Sequence, residues 1–193
     1  LIDVSETPIE RITETGLQTT AEHYNLDMII YATGFNAVTG AMDRIEIKGV
    51  NGKILADKWR DVPSTYNGIF SHGFPNLLMV AGPQSVSGST NYPRAIETGV
   101  DWVTRFLKHV FKQGHTRIEA QLDAETQWQE EVKKAHQQMP FRNSKSWFTG
   151  YNSNIKGREE GAIRYHAYWG GAPRYREFLA KSEEEGYQDI DMR

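Results

Sequence analysis

The stretch Asp27-Met28-Ile29-Ile30-Tyr31-Ala32-Thr33-Gly34-Phe35 decides how the chain is read. An apolar run that ends in small residues has the pattern of an interior strand. The glycine behind it lacks a Cβ, so a flat or charged ligand can reach the main chain there. A second stretch of the same design, Pro75-Asn76-Leu77-Leu78-Met79-Val80-Ala81-Gly82-Pro83, follows downstream. Open α/β sheets bind ligands beyond the carboxyl ends of their strands, so two such ends in one chain predict a shared site. On spacing alone the same segments read equally well as ordinary strands closed by glycine turns.

Outward from these junctions, Val4 to Thr20 alternates around Glu14-Thr15-Gly16 and predicts a hairpin leading into a strand over Leu26 to Tyr31. Ile45 to Leu55 surrounds Asn51-Gly52 and predicts a second hairpin. Trp59 to Pro75 is turn-rich and aromatic, and a strand is expected over Leu77 to Val80. Ser89, Thr90 or Asn91 can cap a helix with Pro93 in its first turn, Ile96, Val100, Val103, Leu107 and Val110 on its apolar face, and Gly114 as its stop. A further helix is expected from Asp123, with Trp128, Val132, Ala135 and Met139 on one face and Pro140 at its end. Residues 141–161 show little periodicity but carry Trp147, Phe148 and Tyr151 among Asn, Ser and Gly, which favours a lid over a disordered segment. Ile163 to Trp169 reads as a strand, and Pro173 to Glu185 as a closing helix ended by Gly186.

Composition narrows the function classes. With 193 residues and 38% hydrophobic content, the chain can bury about 70% of its unfolded surface in one large domain or one and a half. The formal charge is −3, with 22 Lys and Arg scattered among 25 Asp and Glu, so no basic field is offered to a nucleic acid. No apolar run reaches membrane-spanning length, and no signal-peptide pattern opens the chain. Cysteine is absent, which removes disulfides, thiolate nucleophiles and Cys-based metal sites and fits a reducing cytoplasm. The six histidines include no pair at i, i+4, and His72 reads as a turn residue, so no metal centre is expected. Ser87 and Ser89 lack a nucleophile-elbow sequence, and Glu183-Glu184-Glu185 reads as a solvated helix face. No glycines stand at the i, i+2, i+5 positions of a dinucleotide fingerprint, and there is no Walker A sequence.

The ordered set of short motifs resembles class B flavin-dependent monooxygenases, and among them the Baeyer-Villiger monooxygenases. It consists of Ala32-Thr33-Gly34-Phe35, Trp59, Tyr66-Asn67-Gly68, Phe74-Pro75-Asn76, Gly82-Pro83, Ile96-Glu97, Ser146-Trp147-Phe148-Thr149-Gly150, and Gly170-Gly171-Ala172-Pro173-Arg174-Tyr175-Arg176. It therefore covers essentially the whole chain. The resemblance implies an α/β fold, the C-terminal part of a flavoprotein with two dinucleotide-binding domains. That part would be a Rossmann-like FAD domain with β-hairpin edges and a C-terminal loop and helix extension. Residues 1–113 would hold the return from the NADPH domain and the C-terminal half of the FAD domain, and 114–193 the extension with the active-site loop at about 141–161.

The implied cofactors are FAD and NADPH, and the implied reaction uses O2 to insert one oxygen atom beside a ketone carbonyl, giving an ester or lactone. The family's glycine fingerprints and its catalytic arginine would lie upstream of Leu1, so no catalytic residue is assigned here. The chain alone is expected to be inactive, its partner being the remainder of its own polypeptide. A sister activity on sulfur or nitrogen, and a non-catalytic α/β nucleotide-binding module, are the alternatives.

Taken as bare residues, the segment from Gly82 to Ile96 is a glycine turn followed by a helix cap, with unpaired N–H groups and the positive end of a helix dipole at its tip. The resemblance puts the flavin ring there, with Asn91 and Tyr92 beside it and Gly82 and Pro83 in the turn. Thr33 and Gly34 are implied to lie where the chain passes from the NADPH domain to the FAD domain, as hinge or as contact. Trp147, by itself a packing anchor, is matched in the family by a tryptophan that covers bound NADP. Two departures stand out: Asn36 replaces the Asp of many members, and Gly150 to Gly157 is longer than the Gly-Ala-Asn-x-Pro-Gly-Lys form of cyclohexanone-type enzymes, which suggests a different ketone range.

Overall fold

Alternating residues on either side of Glu14-Thr15 form the expected hairpin. Strand β1 (Ile9–Thr13) pairs antiparallel with β2 (Gly16–Thr19), with Thr13 opposite Gly16, and β2 pairs with β3 (His23–Asn25). The computed structural model describes residues 1–36, 38–86, 90–152, 155 and 163–193. Its contacts divide the chain into an N-terminal unit, Leu1–Phe35, and a second unit, Asn36–Arg193.

In the N-terminal unit the strand expected over Leu26 to Tyr31 joins no ladder among the described residues. An interior strand needs neighbours on both edges, and the three-stranded sheet ends at β3. Met28, Ile30 and Tyr31 consequently stand 75%, 80% and 70% exposed, although their side chains are those of a buried strand. The strand expected over Leu77 to Val80 is also missing. Left-handed residues Asn76 (φ 62°) and Ala81 (φ 55°) bracket it, and the Met79 amide bonds the Ile69 carbonyl at 2.8 Å instead of a neighbouring strand.

The second unit is built from α1 (Leu55–Lys58), α2 (Tyr92–Gln113), β4 (Ile118–Ala120), α3 (Leu122–Gln137), α4 (Ala172–Glu184) and β5 (Ile190–Met192). The Asn51-Gly52 turn forms with φ of 57° and 74°. Only one bridge, Lys48 to Ile54, follows from it, because Leu55 already starts α1. Strands β4 and β5 form an antiparallel ladder that the sequence did not announce, since three residues are too few to display a period. Ile163 to Trp169 is no strand: Tyr165 is left-handed at φ 49°, and the segment is held by bonds from the Gln84 amide to the His166 carbonyl (2.8 Å) and from the Tyr168 amide to the Ser85 carbonyl (2.9 Å).

Helix α2 begins after Asn91 and ends at Gly114 (φ 77°), as expected, but is rotated relative to the expected face. Its buried residues are Ala95, Gly99, Trp102, Phe106 and Val110; of the expected face Val110 is buried and Val103 and Leu107 pack half-buried against the core, whereas Ile96 and Val100 remain 42% and 43% exposed. The larger aromatic side chains decide the rotation, because they bury more apolar area than the β-branched stripe. Trp102 stacks on Phe106 at 5.3 Å, Phe70 meets both rings edge-on, and Trp102 Nε1 donates to the Leu179 carbonyl of α4 at 2.9 Å. Val110 and Ile118, on either side of Gly114, belong to the same core cluster, so the core runs across the 113/114 position.

A smaller cluster of Leu55, Trp59, Phe74 and Met79 is tied to α3 by charge. Lys58 Nζ donates to both oxygens of Glu125 (2.7 and 2.9 Å), to Ser71 Oγ and to the His72 carbonyl, and the His72 amide donates to Glu125 as well. Burial pulls the Lys58 ammonium below the ordinary lysine value, and the Glu125 carboxylate opposes that pull. Glu183 and Glu185 of the acidic run lie at the surface, paired with Arg105 and Lys181.

The rotation of α2 makes a direct prediction. Trp102→Ala should lower unfolding free energy by about 3–5 kcal/mol in denaturant titrations, against about 0.5 kcal/mol for Val100→Ala. Equal costs would contradict the observed face.

Candidate cofactor-binding site

The first turn of α2 carries no acidic residue of its own to offset the helix dipole. Asn91 is extended and its Oδ1 accepts from the Arg94 amide at 3.3 Å. Pro93 has no amide proton to offer, and the Ala95 amide bonds the Asn91 carbonyl at 3.0 Å. The first turn contains no acidic residue, and Arg94 is exposed in it. A 22-residue helix places about half a positive charge at its N-terminus, so this end suits a negatively charged edge. Tyr92, half exposed, offers a flat ring beside it.

Gly82 and Pro83 lie in the turn before this helix, and their close contacts are with their own chain. A Cβ on Gly82 would sit 2.6 Å from the Gly68 carbonyl oxygen and 2.9 Å from Met79 Cβ. The Pro83 carbonyl accepts from the Thr65 hydroxyl at 3.1 Å. Behind them Gln84, fully buried and left-handed (φ 65°), donates to the Pro63 carbonyl and accepts from Thr65, while its amide group faces that of Gln129. This buried amide network was not legible in the sequence, where a lone Gln after Gly-Pro reads as an exposed turn residue.

Trp147 is half exposed on a single 3-10 turn, Trp147–Thr149. Ser146 and Thr149 form a reciprocal capping box around the turn, each side chain accepting from the other residue's end of the turn. Its indole stacks on Phe148 at 4.0 Å, and Phe148 in turn contacts Phe141 and Trp169. The expected lid therefore carries its own aromatic anchor and leaves one indole face outward. Residues 153–154 and 156–161 of that lid, and Ser87 and Ser89, lie outside the described residues.

Buried Arg164 adds a feature that an apolar, strand-like stretch concealed. It donates to the carbonyls of Trp59 and Arg60 and to His166 Nε2. Asn91, Tyr92, Gly82, Pro83 and Trp147 all belong to the second unit, whereas Thr33 and Gly34 belong to the N-terminal one. Gly34 is left-handed (φ 78°) with nothing within 4 Å of a Cβ position, so backbone conformation rather than crowding favours glycine there. Among the described residues no hydrogen bond or ring contact joins Trp147 to the start of α2. Also among them, no group of three or more His, Asp or Glu residues can hold a metal ion, and no helix is long and apolar enough to cross a membrane. His72 points its Nδ1 at the Ala120 carbonyl (2.9 Å).

An α/β chain with this bare helix start and glycine turns has the fold of part of a flavin monooxygenase. No family model matches it. Among curated proteins it is 36% identical to cyclopentanone 1,2-monooxygenase of Comamonas sp. (strain NCIMB 9872), over 100% of this chain and 34% of the relative. It is 35% identical to phenazine N-monooxygenase PhzNO1 of Lysobacter antibioticus, over 97% of this chain and 34% of the relative. Among solved structures it superposes on OTEMO in complex with FAD and NADP with a TM-score of 0.89 and 32% identity, covering 100% of this chain and 34% of that one. The chain belongs to the Baeyer-Villiger monooxygenases and spans about a third of the length of the curated relatives it matches.

The packing of Gly82 yields a test that separates fold from ligand. Gly82→Ala should cost about 1–3 kcal/mol in thermal unfolding whether or not FAD is added, since the clash is internal. Unchanged stability with weakened flavin binding would reverse that assignment.

Proposed function

We propose that this chain is the part of an FAD- and NADPH-dependent Baeyer-Villiger monooxygenase that closes the flavin site, in a protein that converts ketones to esters or lactones with O2. The observation that carries the reading is the start of α2, an acid-free helix end with Arg94 in its first turn, in a chain 36% identical to a cyclopentanone monooxygenase. Asn91 fixes that helix end, Tyr92 flanks the ring, and Gly82 and Pro83 supply the turn that carries the chain to it. Bound flavin would supply the redox chemistry. The protein's contribution from these residues is to orient the ring and to favour negative charge on it through the helix dipole. Trp147, its indole half exposed on an anchored turn, would cover NADP and exclude water. Thr33 and Gly34 would form the passage between the dinucleotide domains.

The division into residues 1–113, NADPH-domain return and FAD-domain half, and 114–193, the extension with the loop at about 141–161, is part of the same proposal. The remainder of the polypeptide would cover the apolar side chains of Met28, Ile30 and Tyr31 and, separately, those of Ile96 and Val100. The absence of cysteine suits a cytoplasmic enzyme.

A second reading, oxygenation of nitrogen or sulfur, is favoured by the 35% identity to a phenazine N-monooxygenase. Turnover of the full-length protein with NADPH and O2 separates the two. Lactone formation from cyclopentanone supports the ketone reading. Oxidation of an aromatic amine or a thioether, with the ketone untouched, would replace it.

A further inference from the structure

The sequence holds two Asn-Gly pairs, Asn51-Gly52 and Asn67-Gly68. Both asparagines are left-handed, with φ of 57° and 54°, so backbone conformation does not separate them. Their surroundings do. Asn67 is 2% exposed, its carbonyl accepts from the Tyr175 hydroxyl at 2.6 Å, and its side chain bonds the Tyr66 hydroxyl. The Gly68 amide donates to Thr65 Oγ1 at 3.2 Å, and the Ser85 nitrogen lies 2.6 Å from where a Gly68 Cβ would sit. Asn51 and Gly52 are exposed instead, and the Asn51 side chain makes no hydrogen bond among the described residues. Nothing lies within 4 Å of a Gly52 Cβ position. The Gly52 amide has only a long bond to the Gly49 carbonyl, 3.3 Å, and the Lys53 amide an equally long one to Val50.

An asparagine followed by glycine carries its own nucleophile. Once the Gly52 amide has lost its proton, its nitrogen can attack Asn51 Cγ: the N–Cγ bond forms, the Cγ–Nδ2 bond breaks, and ammonia leaves with the proton. Water then opens the cyclic imide at either carbonyl and leaves aspartate or isoaspartate, with no oxidant or reductant required. Glycine has no Cβ to crowd the attacking nitrogen, and the long bond to Gly49 holds its proton weakly. Glu46 is taken by Lys48, whereas Lys53, two residues past Asn51, brings positive charge that favours the amide anion. At Asn67 the same attack requires the buried turn to open first, and an opening that costs about 1.4 kcal/mol already slows it tenfold.

We propose that Asn51 is a site of spontaneous deamidation, at which the folded protein acquires a negative charge and an isoaspartyl linkage in the turn before α1. The proposal does not depend on the flavin reading. It is tested on the folded full-length protein, incubated in mildly alkaline buffer and mapped by mass spectrometry of its peptides, with a urea-unfolded sample alongside. In the folded protein, aspartate and isoaspartate should accumulate at Asn51 at least about 10-fold faster than at Asn67. In urea the two positions should convert at similar rates. Gly52→Ala, whose Cβ meets open space, should remove most of the conversion at Asn51 and leave the rate at Asn67 in urea unchanged. An Asn51 that stays intact in the folded protein would show the turn to be held or covered and overturn the proposal. So would equal rates at Asn51 and Asn67 in the folded protein, or conversion that survives Gly52→Ala undiminished. A protein that binds no flavin leaves each of these readouts intact.

Discussion

The seating of Trp102 and Phe106 fixes the structure around it. These two rings lie stacked between Phe70 and Tyr187, and the Trp102 indole is bonded to the backbone of α4. A helix has a single rotation about its axis, so this choice of buried stripe also sets where every other α2 side chain lies. It turns Ile96 and Val100 outward and fixes the position from which Asn91 and Tyr92 project. The chemistry expected at the tip of α2 therefore depends on a packing decision made about three turns further along the helix.

The Lys58–Glu125 pair does comparable work for the turns before α2. All its donors are used on α3 and on residues 71–72, in surroundings where the carboxylate is 5% exposed. A buried pair of this kind is a weak source of net stability, because both ions give up hydration. Its value is positional: any shift of the 55–74 segment would leave a buried charge uncompensated, which costs more than the pair contributes. Gln84, Gln129 and Thr65 apply the same logic with neutral groups on the Gly82-Pro83 turn. Polar networks thus add positional constraint to the apolar cluster of Leu55, Trp59, Phe74 and Met79 in the turns before α2.

Much of this was visible in the residues. The Glu14-Thr15 hairpin, the Asn91 cap, the Gly114 stop, the α3 face and the closing helix were all carried by local signals of turn, cap and period. The rotation of α2 was not, because an Ile/Val stripe and an aromatic stripe share one helix and periodicity cannot rank them. The buried-strand patterns at Leu26 to Tyr31 and Leu77 to Val80 describe a sheet whose neighbouring strands the described residues do not supply, so the pattern was present and the ladder was not. Lys58, Glu125, Gln84 and Arg164 were illegible for a different reason: a charged or amide side chain announces burial only through partners distant in sequence. Of the expected site, Asn91 and Tyr92 stand at an open helix end, whereas Gly82 and Pro83 are engaged by their own chain.

The central claim is that the tip of α2 serves a flavin, and the most direct measurement is the absorption spectrum of the purified full-length protein. Flavin bands that NADPH bleaches and air restores are the result this account predicts. A colourless protein that gains no flavin band when FAD is added would contradict it, and would leave the start of α2 as a helix cap on an α/β module without redox chemistry.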